Sequence, residues 1–181
     1  MIDNRPKMVY NIPIESRKDR HTMLKAVLFD LDGTLLPMDQ NTFMKDYFGR
    51  LIRRLVPLGY TPESFLASMK AGIAAMVKND GTRTNEEAYW DAYTAISGKE
   101  ILNHMSVFEA FYSEEFDEVA ASCGFHPKAA EVIHTLQERG IRVILATNPL
   151  FPRIATQKRI RWAGIEPEDF ELYTTYEDIG T

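Results

Sequence analysis

The sequence contains little cysteine and no long apolar run, and each shortage excludes a class of protein. Its one cysteine, Cys123, has no partner for an internal disulfide, and its neighbours Ser122 and Gly124 provide no base to activate a thiol. The four histidines are scattered, without the paired spacing of a metal site. No apolar run approaches the roughly 20 residues that a membrane helix needs. We therefore expect no disulfide framework and no membrane partner.

Positive charge is also scarce. The 181 residues carry 21 Lys and Arg against 26 Asp and Glu, which gives a formal net charge of -5. A nucleic-acid partner is not expected, because binding to backbone phosphates needs a basic surface. The N-terminal region lacks the apolar core of a secretory signal, and together these absences favour a cytoplasmic location. The length suits one domain with a sizeable insertion, or two small domains.

Two continuous apolar runs predict strands that are buried on both faces, as in a parallel sheet. The first covers residues 26–29 and ends at Asp30, and the second covers residues 141–146 and ends at Thr147. A third strand is predicted at residues 172–175. Helical patterns lie between these strands, which predicts an α/β fold with a Rossmann-like parallel sheet.

The helices between the predicted strands have recognisable ends. Pro127 suits the first position of a helix, and Gly140 suits the position just past its end. A further helix is predicted from about Phe151 to Trp162. These elements belong to one domain, to which we assign residues 23–36 and 124–181.

Residues 37–123 break this alternation, because only helical periodicity is present there. Asn41, Thr61 before a proline, and Thr84 with Glu87 three residues later are the predicted helix starts. One more helical stretch is predicted after Gly98. We interpret this region as an all-helical cap inserted into the core domain. Residues 1–22 are interpreted as an N-terminal tail.

The most informative string is Phe29-Asp30-Leu31-Asp32-Gly33-Thr34-Leu35. It places two carboxylates at the C-terminal end of a strand, where ligands of open α/β sheets bind. Residues two apart on an extended chain point to the same side, so both carboxylates should face one cleft. Two close anions need a cation between them, and a hard cation such as magnesium accepts oxygen ligands.

An Asp-Gly pair can also mark a simple turn, and an isolated pair of aspartates is a weak signal. The full string directly after four apolar residues is far more specific. It resembles motif one of the haloacid dehalogenase (HAD) superfamily. Thr147 and Asn148 lie where that family carries its second motif, and the helical insertion lies where many members carry a cap.

The resemblance implies a role for each of these residues. Asp30 would be the nucleophile that forms an aspartyl phosphate, and Asp32 would be the general acid and base. The backbone N–H of Leu31, together with Thr147 and Asn148, would bind the phosphoryl group. Magnesium would bind the carboxylate of Asp30 and the carbonyl of Asp32. The presence of Asp32 favours phosphoryl transfer over dehalogenation, with a small phosphorylated metabolite as the substrate.

Some polar residues also have a purely structural interpretation. Thr147 would otherwise cap the helix after Pro149. Trp90 and Tyr93 are expected to be packing residues. The polar residues between the second and third cap helices are expected to form a solvated loop with a capping role; they are Asn79, Asp80, Arg83 and Asn85.

The family pattern is incomplete in this chain, because the family also uses a lysine and a later acidic pair. Lys158 is the only lysine after Thr147, and it lies about 12 Å along its helix from the predicted cleft. Glu177 and Asp178 are expected to be exposed turn acids. We therefore expect a fragment that is not a competent phosphatase by itself. A phosphomutase of the same superfamily and a non-catalytic phosphate- or magnesium-binding protein stay open as alternatives.

Overall fold

The computed structural model describes residues 24–180, so the predicted tail lies outside the described residues. Three strands form one parallel sheet in the order β1-β2-β3: β1 is Ala26–Phe29, β2 is Arg142–Leu145 and β3 is Leu172–Tyr173. The predicted α/β class and the parallel sheet are confirmed. β1 has the predicted bounds, and β2 and β3 are shorter than the segments predicted for them.

The register brings the carboxyl ends of the three strands to one edge of the sheet. Phe29 pairs with Leu145, and Leu145 pairs with Tyr173. The ladder continues one residue further, because the N–H of Ala146 donates to the carbonyl of Phe29 at 2.8 Å. The loops that follow β1 and β2 therefore start side by side, as Asp30 and Thr147 require if they are to share a cleft.

Six α-helices accompany the sheet within the described residues. Their bounds are α1 Gln40–Leu55, α2 Pro62–Val77, α3 Asn85–Ser97, α4 Met105–Ala110, α5 Lys128–Glu138 and α6 Arg153–Trp162. Helices α1 to α4 all lie between β1 and β2, where the described residues form no strand and two isolated bridges, Asp32–Leu36 and Met38–Cys123. The division into a core domain and a cap at these residues remains a proposal.

Local capping explains where the cap helices begin. The side chains of Thr61 and Thr84 accept from backbone N–H groups at the starts of α2 and α3, and Thr84 forms the predicted capping box with Glu87. The prediction for α1 was wrong by two residues. Asp39 is the N-cap rather than Asn41, because its carboxylate accepts from both the N–H and the hydroxyl of Thr42.

The last helical stretch of the cap is irregular rather than one continuous helix. It comprises 3-10 turns at Lys99–His104 and Phe116–Ser122, with α4 and a π-helical segment, Phe111–Glu115, between them. Phe111 and Phe116 are five residues apart, and both are completely buried. In a π-helix the hydrogen bonds join residues five apart, so both rings lie on the inner face. In an α-helix, residues five apart lie on different faces, and one ring would point away from the interior.

Two hydrophobic clusters organise the interior. One lies mainly among the cap helices and includes Phe43, Tyr47 and Phe111. The other lies between the sheet and helices α5 and α6. The prediction that β1 is buried on both faces was wrong, because Leu28 is 63% exposed. β1 is an edge strand, and no described helix covers that face. No described helix has the length and apolarity that crossing a membrane would require.

Candidate active site

The loop after β1 is a tight turn built on backbone hydrogen bonds. The carbonyl of Leu31 accepts from the N–H groups of Thr34 and Leu36, and the N–H of Gly33 donates to the carbonyl of Leu36 at 2.8 Å. Gly33 has a φ of 85°, which side-chain-bearing residues rarely adopt. The side chain of Leu31 is fully buried and anchors the turn. Asp30 and Asp32 are thus presented from a fixed backbone.

Asp30 is exposed at the end of β1. The hydroxyl of Thr34 donates to its Oδ2 at 2.8 Å. This contact orients the carboxylate and leaves its other oxygen open to solvent and to a ligand.

Asp32 is held by a residue that the sequence did not reveal. Arg159, on α6, is completely buried and donates from Nη1 to Oδ2 of Asp32. Its Nη2 also donates to the hydroxyl of Thr156 at 3.3 Å. The guanidinium carbon lies 3.9 Å from the ring centroid of Phe151, a cation–π contact. A buried cation of this kind needs an anionic partner, and Asp32 is that partner.

The second oxygen of Asp32 has a different environment. Oδ1 is buried and has no hydrogen-bond partner among the described residues. Buried carboxylate oxygens are rarely left without a donor or a cation, and the exceptions concentrate at functional sites. Arg159 therefore fixes the orientation of Asp32 through one oxygen, and the other oxygen is available for a ligand.

Thr147 follows β2 and is buried. Its carbonyl accepts from the hydroxyl of Thr174 at 2.5 Å, which ties the loops after β2 and β3 together. Thr147 does not cap the next helix, because α6 begins at Arg153. The N–H of Arg153 instead donates to Oε1 of Glu177 at 2.8 Å. The alternative of Thr147 as a helix cap was wrong.

Glu177 and Asp178 are more than exposed turn acids. Glu177 is half-buried and caps the N-terminal turn of α6, and its Oε2 is buried without a partner among the described residues. Asp178 pairs with Arg153 at 2.5 Å and accepts from the hydroxyl of Thr175. The interpretation of Glu177 as a solvated acid was therefore wrong, because the free N–H groups at the start of α6 attract it.

Four of the predicted site residues line one cavity of about 770 Å³: Asp30, Asp32, Thr147 and Asn148. The fifth, Leu31, contributes its backbone to the turn beside them, while its side chain lies in the hydrophobic cluster under the sheet. The cavity extends from these residues into the cap, where side chains of α1, α2, α3 and α4 form its walls.

Lys158 does not line this cavity. Its Nζ pairs with Asp117 at 2.6 Å and donates to the carbonyl of Ser113 at 2.9 Å. On the same helix, the indole N–H of Trp162 donates to the other oxygen of Asp117. Lys158 thus joins α6 to the cap and does not serve the carboxylates, as its distance along the helix predicted.

The polar loop between α2 and α3 is partly buried, which corrects its interpretation as a solvated loop. Asn85 is 1% exposed, and its amide donates to the carbonyl of Pro149 at 3.1 Å. The backbone N–H of Asn85 donates to the carbonyl of Ile179, and that of Glu86 donates to the carbonyl of Tyr176. The start of α3 is therefore fastened to the loops that follow β2 and β3.

The sequence also led to expectations for two aromatic residues, Trp90 and Tyr93, and for Cys123. Tyr93 is buried, as expected for a packing residue. Trp90 is half-buried and lines the cavity, so its indole is also available to a ligand. Burial raises the pKa of the Cys123 thiol, which keeps it protonated and unreactive near neutral pH.

The donor set suits a hard cation in kind but is small in number. Asp30 and Asp32 offer only oxygen atoms, which is the preference of magnesium, and one of these oxygens is buried without a partner. Among residues 24–180, no group of three or more His, Cys, Asp or Glu side chains is placed to hold a metal. Magnesium commonly keeps several waters and binds through one or two carboxylates, so the two aspartates are compatible with it.

Comparison with known proteins identifies the family of the chain. A model of the haloacid dehalogenase-like hydrolase family matches residues 24–172, which includes both strand-end loops and the whole helical insertion. The chain belongs to this family of hydrolases. No curated protein and no solved structure matches the chain.

Proposed function

We propose that this chain is a magnesium-dependent phosphohydrolase domain that acts through an aspartyl phosphate on Asp30. The observation that carries the proposal is the convergence of Asp30, Asp32 and Thr147 on one cavity at the carboxyl ends of adjacent parallel strands. Membership of the hydrolase family supports hydrolysis in general, and the pair of aspartates supports a phosphate ester as the substrate.

In the first step, an oxygen of the Asp30 carboxylate attacks the phosphorus atom of the ester. A bond forms between that oxygen and phosphorus as the bond from phosphorus to the alcohol oxygen breaks. Asp32 lies two residues further and delivers a proton to the departing alcohol oxygen. The hydroxyl of Thr147 and the N–H of Leu31 donate to the phosphoryl oxygens while their charge is redistributed.

In the second step, water attacks the phosphorus atom of the aspartyl phosphate. Asp32 accepts a proton from this water, and the bond between Asp30 and phosphorus breaks to release inorganic phosphate. Arg159 keeps Asp32 in one orientation during both steps. Both carboxylates are then in their starting state.

Magnesium would bind the carboxylate of Asp30 and the backbone carbonyl of Asp32. When bound, it offsets the negative charge that Asp30, Asp32 and the phosphoryl group bring together. Within residues 24–180 no lysine lines this cavity, and Lys158 is paired with Asp117. With few protein ligands and no lysine, we propose weak magnesium binding and low turnover for this chain by itself.

The direct test is phosphate release from a generic phosphate ester by the purified 181-residue chain, across a magnesium titration. We expect slow hydrolysis that requires millimolar or higher magnesium and stops on chelation. Calorimetric titration with magnesium alone should show weak binding that the Asp30→Asn variant loses. Rapid turnover without magnesium would contradict the proposal. Magnesium and phosphate binding without any turnover would favour a non-catalytic binding protein.

A further inference from the structure

The cavity beside the carboxylates indicates which phosphate esters the site accepts. This inference rests on the proposed function and deepens it. We infer that the substrate is a phosphate monoester of an apolar alcohol without further acidic groups, aryl or long-chain, rather than a sugar phosphate or a nucleotide. Three properties of the cavity carry the inference: the chemistry of its walls, the sign of its charges, and the engagement of its hydroxyl groups.

The walls that lie within the cap are predominantly apolar. They are formed by aliphatic and aromatic side chains from all four cap helices, among them Phe43, Leu51, Met69, Ile73, Trp90 and Phe108. A volume of about 770 Å³ is far more than a phosphoryl group needs. It is within the range of pockets that enclose drug-sized ligands, of roughly 300–1,000 Å³. The leaving group is therefore expected to be large and to bury its apolar surface here.

The charged side chains that line the cavity are all acidic. They are Asp30, Asp32, Glu86, Glu109 and Glu177, and none of the described lining residues is Lys, Arg or His. Burial, followed by the charge of Glu177, raises the pKa of Glu86, as expected for an acid that lies near another acid. A second phosphate or a carboxylate on the leaving group would have no cation to pair with. This disfavours nucleotides with several phosphates, sugar bisphosphates and phosphorylated acids.

The hydroxyl groups around the cavity are mostly bonded to one another or to neighbouring protein atoms. The hydroxyls of Tyr47 and Tyr112 share a hydrogen bond of 2.5 Å. Tyr89 donates to the sulfur of Met69 at 2.9 Å, and Ser113 donates to the carbonyl of Glu109. A polyhydroxylated sugar would find few free hydroxyl partners on these walls, and each buried polar group left without a partner is costly. Among the described residues that line the cavity, the buried polar atoms without a hydrogen-bond partner are Oδ1 of Asp32, Oε2 of Glu177 and the indole nitrogen of Trp90.

The tyrosines stay neutral over the physiological pH range. Burial raises the pKa of Tyr47 to about 12, and it raises the pKa of Tyr112 further. Their rings therefore act as uncharged apolar surface towards a ligand. The cap walls are then selective by shape and apolar contact, and the phosphoryl group is recognised at the end of the cavity that holds Asp30, Asp32 and Thr147.

The test is calorimetric binding to the Asp30→Asn chain, which is expected to bind phosphate esters without consuming them. The ligands are 1-naphthyl phosphate, glucose 6-phosphate, adenosine monophosphate and choline phosphate. We expect 1-naphthyl phosphate to have a Kd at least about ten-fold lower than the other three, since each additional apolar group in a matching pocket contributes roughly ten-fold or more.

Two wall variants probe the cavity itself. Ile73→Asn and Met105→Gln each place an amide on a half-buried wall position, and Ile96→Asn is the matched control on an exposed face that does not line the cavity. We expect each wall variant to raise the Kd of 1-naphthyl phosphate about ten-fold and to leave the Kd of glucose 6-phosphate unchanged. The control should change neither. Thermal melts of all variants verify that they fold. If one wall variant does not fold, the other still tests the inference.

The outcomes separate this inference from the proposed function. Selective binding of 1-naphthyl phosphate supports the inference even if the wild-type chain turns over nothing. Equal affinities, no binding of 1-naphthyl phosphate, or a preference for the sugar, nucleotide or choline ester would overturn it. If phosphate release depends on magnesium and Asp30 but shows no preference among these esters, the proposed function stands and this inference fails.

Discussion

The guanidinium of Arg159 is completely buried and is paired with the Asp32 carboxylate, 127 residues earlier in the chain. The pair joins α6 to the turn after β1 and places a cation behind the site rather than in the cavity. Breaking such a pair from one side leaves a buried charge without compensation, whereas replacing both partners with neutral groups removes the cost. Asp32 is therefore expected to support the fold as well as the chemistry.

This relationship predicts a specific pattern of stability. Asp32→Asn should lower the free energy of unfolding by on the order of 3–5 kcal/mol, because Arg159 loses its counter-charge. Arg159→Met, with a similar apolar length, should restore most of that loss when combined with Asp32→Asn. Urea denaturation of the wild-type chain, both single variants and the double variant measures the coupling. Additive effects in the double variant would show that the pair does not act as a unit.

Substitution of Asp30, unlike that of Asp32, should remove activity and leave stability almost unchanged. Asp30 is exposed, and its carboxylate accepts a hydrogen bond from the hydroxyl of Thr34. Asp30→Asn should abolish magnesium-dependent phosphate release, because a neutral amide is a very poor nucleophile. It should change the free energy of unfolding by no more than about 0.5 kcal/mol. Parallel assays and denaturation curves provide the comparison. Persistent turnover in this variant would exclude Asp30 as the nucleophile.

Gly72 sets the spacing between α2 and α3. A Cβ atom built on Gly72 would lie 2.4 Å from the ring of Tyr89, so the ring or the helix would have to move. Gly72→Ala is expected to destabilise the chain by about 1–3 kcal/mol, which is the usual cost of overpacking. Gly49→Ala in α1 is the matched control, because nothing lies within 4 Å of its added Cβ. The control should be neutral or stabilising by up to about 1 kcal/mol. Equal melting temperatures for the two variants would contradict this packing.

Glu86 gives a prediction about pH. Because its pKa is raised by burial and by Glu177, the folded chain holds this proton more tightly than the unfolded chain. Ionisation of Glu86 therefore lowers stability as the pH rises through the unfolded and then the folded pKa. Glu86→Gln should be more stable than the wild-type chain at neutral pH. The advantage should vanish below the ordinary glutamate pKa of about 4.3. Melting temperatures at several pH values test this, and a difference independent of pH would refute it.

The sequence predicted the parts of the molecule that depend on local signals. The apolar runs beside Asp30 and Thr147 predicted the parallel strands, and the capping box of Thr84 predicted the start of α3. The turn after β1 was also predictable, because Gly33 and its neighbours specify it locally. In each case a few adjacent residues determine the structure.

The features that the sequence missed depend on contacts between distant segments. Arg159 lies in a basic stretch of α6 that is typical of a solvated helix face, and its burial depends on Asp32 and Phe151. Glu177 was interpreted as a turn acid because the start of α6 lies 24 residues away. The burial of Asn85 depends likewise on Pro149, which is 64 residues distant. Helical periodicity alone contains no signal for such pairings.

The most direct test of the account is to identify the residue that carries the phosphoryl group. The purified chain is incubated with magnesium and acetyl phosphate, a reactive phosphoryl donor, then quenched and treated with borohydride. This reagent reduces an aspartyl phosphate to homoserine. Peptide mass spectrometry should find the change at Asp30 only when magnesium is present, and never in Asp30→Asn. Phosphate release without modification of Asp30, or modification at Asp32 instead, would contradict the account.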